Sequence, residues 1–127
     1  MENLVINGTN VAPTIVFQSS GKLKIEGKII TENAILTFDP IFQWLNEFQA
    51  KSVEFDIILE YMNTSASMQL YSLLSRLEEN QDIQDIKVNW FYEVDDEEHL
   101  ETGELFEDRL ERTVFKYIVI DETRDAA

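Results

Sequence analysis

Hydrophobic positions along this chain follow two different periods. Val53, Phe55, Ile57, Leu59 and Tyr61 alternate with Glu54, Asp56, Ile58 and Glu60. A period of two in β-branched and aromatic residues predicts a strand with one buried face and one largely wet face. Ile86, Val88, Trp90 and Tyr92 repeat the pattern and predict a strand over residues 86–92, and residues 114–120 read as the last strand. Near the start, Ile15-Val16-Phe17 and Leu23-Lys24-Ile25 flank the Gly-bearing segment Gln18-Ser19-Ser20-Gly21-Lys22, which predicts a hairpin. A short strand is expected over residues 34–38, after the loop Thr31-Glu32-Asn33. Elsewhere the period lengthens. Ile41, Trp44, Leu45 and Phe48 fall at i, i+3, i+4 and i+7, behind Asp39 as cap and Pro40 at the first helical position. Leu70, Leu73, Leu74 and Leu77 repeat that stripe in a second helix. A third helix is expected over residues 104–112 with Leu105, Phe106 and Leu110 facing inward.

The order is hairpin, short strand, then α-β-α-β-α-β. Alternation of this kind predicts an α/β fold with one mixed β-sheet, and the polar alternation on the strands puts the helices mainly on one face. The arrangement resembles the STAS (anti-anti-sigma-like) fold class, and fold class alone does not establish function. The chain of 127 residues is the length of one domain. Residues 1–120 are expected to form it, with the polar residues 121–127 as a loose C-terminal tail.

Charge narrows the partners. With 25 acidic and 10 basic residues the formal net charge is −15. A phosphate backbone is held mainly by Lys and Arg, so nucleic acid is excluded as a partner. Anionic membranes are disfavoured for the same reason. The acidity serves either solubility or attraction to a basic partner. There is no cysteine, which rules out disulfides, thiolate metal sites and Cys nucleophiles. Met1-Glu2-Asn3-Leu4-Val5-Ile6 lacks the basic and apolar regions of a signal peptide. No apolar run approaches the roughly 18 residues of a membrane span. The expectation is a cytoplasmic protein without membrane insertion.

Catalytic signals are weak. The one histidine, His99, follows Asp95-Asp96-Glu97-Glu98 and reads as a solvated loop residue. Nothing suggests a third group that would orient it as a base for a hydroxyl nucleophile. The acidic run lacks the alternate ligand spacing and the glycine of a calcium loop, so no metal site is expected; it reads as a solvated or partner-docking loop. Ser19-Ser20-Gly21-Lys22 lacks the first glycine of a phosphate loop and reads as the hairpin turn. No acid lies in an apolar pattern that would raise its pKa. A small enzyme with carboxylate chemistry is therefore the third-ranked reading, and no cofactor is implied.

The segment Tyr61-Met62-Asn63-Thr64-Ser65-Ala66-Ser67 carries more information. Three hydroxyls and an Asn crowd one helix start, where a cap needs only one of them. One reading is ordinary capping by Asn63 or Ser65. The other is a phosphate acceptor, since a phosphate there meets free main-chain N–H groups and the positive end of the helix dipole. Both readings stand on the residues alone.

At this segment the chain resembles the SiaC family of bacterial regulatory phosphoproteins, whose Y-x-N-T-S-x-S pattern matches Tyr61 to Ser67. Further matching pieces are Ala12-Pro13 with Ile15 and Phe17, Gly21, Ile25-Glu26-Gly27, Glu32-Asn33 and Phe38-Asp39-Pro40 with Trp44-Leu45. Downstream come Val88-Asn89-Trp90, Tyr92, the run from Asp95 to Glu98, and Gly103-Glu104. Thr31 departs from the family's Pro before Glu-Asn, and Met68 from the basic residue that often follows the serines. The resemblance implies a threonine, Thr64 by motif match, phosphorylated by a dedicated GHKL-type kinase and dephosphorylated by a PP2C-type phosphatase. It implies that the unphosphorylated form binds a diguanylate cyclase (a GGDEF protein), raises cyclic di-GMP synthesis and favours biofilm formation. Ser65 and Ser67 are the fallback acceptors. Asn63, Thr64, Ser65, Ser67 and Met68 are the expected partner-binding residues. The runner-up is an anti-anti-sigma-like adaptor using the same switch on another target.

Overall fold

The computed structural model describes residues 1–120, so the expected loose tail lies outside the described residues. Six strands form one sheet in sequential order: β1 (Leu4–Ile6), β2 (Thr14–Phe17), β3 (Lys22–Ile29), β4 (Ser52–Met62), β5 (Asp85–Glu93) and β6 (Val114–Ile120). The first three are antiparallel, and β3 to β6 run parallel. Helices α1 (Ala34–Leu45), α2 (Thr64–Glu79) and α3 (Glu97–Arg109) make the three parallel crossovers. Right-handed crossovers that advance in one direction place their helices on the same face. Burial agrees: Leu23, Ile25, Val53, Phe55, Ile57, Ile86 and Val88 are buried against the helix side. Their neighbours Lys22, Glu54 and Lys87 stand in one row across the other face. The expected mixed sheet with helices on one face is the fold observed.

The hairpin forms as expected. Gln18 N–H donates to the Lys22 carbonyl at 2.9 Å and Gly21 N–H to that of Gln18 at 3.0 Å. Gly21 has φ +105°, and a Cβ there would fall 2.2 Å from the Ser52 carbonyl oxygen, so the turn needs a glycine. β1 was not expected from the pattern. Its three residues pair with β2, Leu4 opposite Phe17 and Ile6 opposite Ile15.

Two expectations are corrected. Residues 34–38 are not a strand but the first half of α1, and Asn33, not Asp39, is its cap, accepting from Leu36 N–H at 3.3 Å. Ala34, Phe38, Ile41 and Leu45 are buried at i, i+4, i+7 and i+11, a stripe that runs through Pro40. Burying this stripe outweighs the roughly 3 kcal/mol that an interior proline costs a helix. Asp39, freed from capping, accepts from Gln43 Nε2 one turn later at 2.7 Å. The helix ends at Leu45, and Phe48 is buried just beyond it, stacked on Trp44 with ring centres 4.7 Å apart. α3 likewise begins seven residues before the expected start. Asp96 caps it by accepting from His99 N–H at 3.1 Å, and Glu97 and Glu98 occupy its first turn, where the helix dipole favours negative charge. Its inward stripe is His99, Gly103, Phe106 and Leu110, while Leu105 is 47% exposed.

The far end of α2 is fixed by a polar clamp. The Glu78 carboxylate accepts from the main-chain N–H groups of Glu111, Arg112 and Thr113 at 2.7–3.0 Å, and from the Thr113 hydroxyl at 2.8 Å. Burial pushes this carboxyl up, but the four donors together hold it below its ordinary value. The Arg112 guanidinium donates to the carbonyls of Leu77, Glu78 and Asn80 at the end of α2 and to that of Ile83 just beyond it. Arg112→Met should therefore lower stability by about 2–4 kcal/mol, because several charge-assisted bonds are lost together. Urea unfolding measures this as a fall in midpoint at unchanged slope. A change within about 0.5 kcal/mol, as for ordinary surface sites, would show that the clamp does not hold α2.

Candidate functional site

The end of β4 and the start of α2 meet at Asn63, and every polar group of this residue is used. Its side-chain Oδ1 accepts from Ala66 N–H at 2.9 Å, and its Nδ2 donates to the Thr31 carbonyl at 3.0 Å. Its main-chain N–H donates to the Ile29 carbonyl at 3.1 Å, and its carbonyl accepts from Ser67 N–H at 2.9 Å. Asn63 therefore caps α2 and ties it to the loop that enters α1. With the N–H groups of Ala66 and Ser67 engaged, those of Thr64 and Ser65 have no intrahelical acceptor.

The hydroxyls stand apart from this cap. Thr64 and Ser65 are exposed and Ser67 is half-buried. None of the three hydroxyls makes a hydrogen bond to another described residue. Capping thus accounts for Asn63 and leaves Thr64, Ser65 and Ser67 without a structural bond. Met68 is 66% exposed on the next turn. Ile35 and Leu36 on the first turn of α1, and Tyr61 at the end of β4, are exposed at the same end of the sheet.

Between the first turns of α2 and α3 lies an open cleft of about 360 Å³. It sits at the carboxyl ends of adjacent parallel strands, where α/β sheets commonly receive ligands. One wall is Glu60, Tyr61, Met62, Asn63, Thr64 and Ser67; the other is Asp96, Glu98, His99 and Thr102. The lining contains three carboxylates and no Lys or Arg. Glu60 and Glu98 are exposed, and Asp96 is engaged as the α3 cap. Among the described residues no group of three or more His, Asp and Glu is placed to hold a metal ion.

His99 is where the structure departs most from the expectation of a solvated residue. It is 8% exposed, with its ring stacked on Trp90 at 4.8 Å between centres and an interplanar angle of 25°. Trp90 Nε1 donates to the His99 carbonyl at 3.1 Å. A Cβ on Gly103 would approach the Trp90 indole within 2.7 Å, so glycine at that position lets α3 lie close to β5. The His99 ring also hydrogen-bonds to the Phe91 main chain, while Nε2 is buried without a partner. Burial pushes the imidazole below its ordinary pKa, against an opposing pull from Asp96. Among the described residues no hydroxyl is hydrogen-bonded to the imidazole. The signal that could have found this wall is the spacing of His99, Gly103, Phe106 and Leu110, which continues one helical face.

The sheet, its same-side helices and the hydroxyl-bearing helix start define an α/β domain with an accessible, modifiable surface at the carboxyl ends of its parallel strands. The chain belongs to the SiaC family of regulatory phosphoproteins, whose family model matches residues 6–120. An uncharacterised protein of Pseudomonas aeruginosa (strain UCBPP-PA14) is 31% identical over 111 residues, covering 84% of this chain and 88% of the relative. SiaC of Pseudomonas aeruginosa is similar in structure, with a TM-score of 0.80 and 26% identity over 92% of this chain and 99% of that one. SiaC in the crystal structure of diguanylate cyclase SiaD in complex with its activator SiaC, from Pseudomonas aeruginosa, matches with a TM-score of 0.79. That match has 28% identity over 92% of this chain and 99% of the other.

The state of His99 sets a pH dependence. The folded chain holds the ring neutral, whereas the unfolded chain binds a proton near the ordinary value of about 6.5. Acidification through that value therefore favours the unfolded state. Urea unfolding between about pH 7.5 and 5.5 should show stability falling more steeply in the natural chain than in His99→Phe, which keeps the stack on Trp90. Parallel profiles would mean that His99 titrates freely when folded.

Proposed function

We propose that this chain is a phosphorylation-controlled partner switch in which Thr64 is the acceptor. The observation that carries the reading is that Asn63 alone caps α2, which leaves the Thr64 hydroxyl exposed and unbonded. Unmodified, the chain binds and activates a diguanylate cyclase, as SiaC of Pseudomonas aeruginosa is the activator of the diguanylate cyclase SiaD. Cyclic di-GMP output and biofilm formation follow from that contact. The binding surface is built from Asn63, Thr64, Ser65, Ser67 and Met68, extended by the exposed apolar side chains of α1. A phosphate on Thr64 adds nearly two negative charges to this surface and opposes docking. A GHKL-type kinase adds it and a PP2C-type phosphatase removes it, with Ser65 and Ser67 as second-choice acceptors. These partners use nucleotides, which puts the switch in the cytoplasm. No helix among the described residues is long and apolar enough to cross a membrane. The chain acts by binding and not by catalysis: the cleft acids are exposed or spent on a cap, and the imidazole has no nucleophile beside it. Residues 1–120 work as one unit.

Thr64 is not the cap, so Thr64→Ala should leave the fold intact and retain cyclase binding that no longer responds to the kinase. Thr64→Glu should weaken binding, though a carboxylate carries about half the charge of a phosphate. Phosphorylation should weaken binding at least tenfold, about 1.4 kcal/mol. Calorimetric titration of the cyclase against unmodified, phosphorylated and Thr64→Ala chains measures all of this. Equal affinities for the three forms would sink the switch.

Charge supplies a second check. If the acidic cleft attracts a basic cyclase surface, association should slow as salt shortens the screening length to about 8 Å and below. Stopped-flow association rates that do not change with salt would assign the net charge of −15 to solubility alone.

A further inference from the structure

The phosphate assigned above to Thr64 would enter a cleft whose other charged groups are Glu60 from β4 and Asp96 and Glu98 from α3. Carboxylates repel it, and no Lys or Arg lines the cleft to hold it. One lining side chain can become cationic, and it is His99. More than nine-tenths of this residue is buried, its ring is held flat against Trp90, and its Nε2 has no partner. A buried ring nitrogen left unpaired is costly and rare, so a specific orphan in a folded chain calls for an explanation. With the ring also bonded to the Phe91 main chain, Nε2 is the nitrogen left to engage a new acceptor.

We propose that His99 is the internal receptor for a phosphate on Thr64, donating a charge-assisted hydrogen bond from Nε2 to a phosphate oxygen across the cleft. This proposal rests on the switch reading and says how the modified state is held. The proton comes from solvent: the imidazole is neutral in the unmodified chain and is charged when a dianion arrives beside it. β4 contributes Glu60 and Tyr61, α3 contributes Asp96 and Glu98, and β5 contributes the Trp90 ring and the Phe91 main chain. α2 offers only the hydroxyls of Thr64 and Ser67. The three carboxylates line the cleft before and after modification, with Asp96 the one that acts on the ring, so the phosphate is the charge that changes. Such a contact draws the first turn of α3 against the start of α2 and ties the modified threonine down inside the protein.

The test uses the full chain with phosphothreonine installed at position 64 during synthesis, so it does not depend on which residue a kinase selects. The chain has one histidine, so its imidazole signals in nitrogen-15 NMR need no assignment. The His99 pKa should rise by about one to three units when the phosphate is present, the range expected for an opposite charge within hydrogen-bonding reach. The phosphorus-31 titration of the same chain should show the second phosphate ionisation at lower pH than in H99Q carrying the same phosphothreonine. A His99 titration identical with and without the phosphate overturns the proposal, and this readout needs no variant to fold. If a kinase instead modifies Ser65 or Ser67, the switch reading at Thr64 fails, while the titration still decides whether His99 can receive a phosphate at position 64.

Discussion

Asn63 makes four hydrogen bonds, two within the first turn of α2 and two to segments far away in sequence, and the position of the candidate site depends on them. Its side chain closes the first turn of α2 and reaches back to the loop before α1; its main chain pairs with the end of β3 and with Ser67. A buried or half-buried amide that satisfies donor and acceptor at once specifies a single geometry, because any displacement leaves a polar group unpaired. The effect is to fix the direction in which α2 leaves the sheet. Thr64, next in the chain, is then presented at the helix end with its hydroxyl uncommitted. At the other end of the same helix, Glu78 and Arg112 bind the last turn to the entry of β6. α2 is thus pinned at both ends, and a charge placed on its first turn acts on a fixed surface.

Function follows from what this rigid frame leaves open. The end of the sheet where the three helices begin carries exposed apolar side chains from α1 and α2 and an acidic cleft between α2 and α3. Exposed apolar area supplies contact energy in protein interfaces, and acidic side chains favour a basic surface over an acidic one. Phosphate chemistry fits the same place. The helix dipole and the free N–H groups of Thr64 and Ser65 favour added negative charge at this place. Membership of the SiaC family agrees with this physical reading.

Much of the fold was legible because its central elements obey one period each. β4 and β5 alternate cleanly, and the α2 leucines mark one helical face. α1 was misread at its start, because Asp39-Pro40 satisfies a local rule for a helix N-terminus while the buried stripe runs through it from Ala34 to Leu45. Three residues of β1 are too few to show a period. The start of α3 was hidden because His99 and Gly103 occupy its inward face and neither counts as hydrophobic. For that reason one wall of the cleft, with Tyr61 to Thr64 and Ser67, could be read from the sequence, and the packing of the opposite wall could not. That wall is Asp96 to Thr102, and only packing against Trp90 brings it into place.

The claim on which the account turns is that Thr64, and not one of its neighbouring hydroxyls, carries the modification. Tandem mass spectrometry of the intact chain after incubation with its kinase and ATP addresses it directly. A single phosphate on Thr64, with Ser65 and Ser67 unmodified, is the predicted result. A phosphate on Ser65, on Ser67 or on a residue outside the start of α2, with Thr64 unmodified, would contradict it.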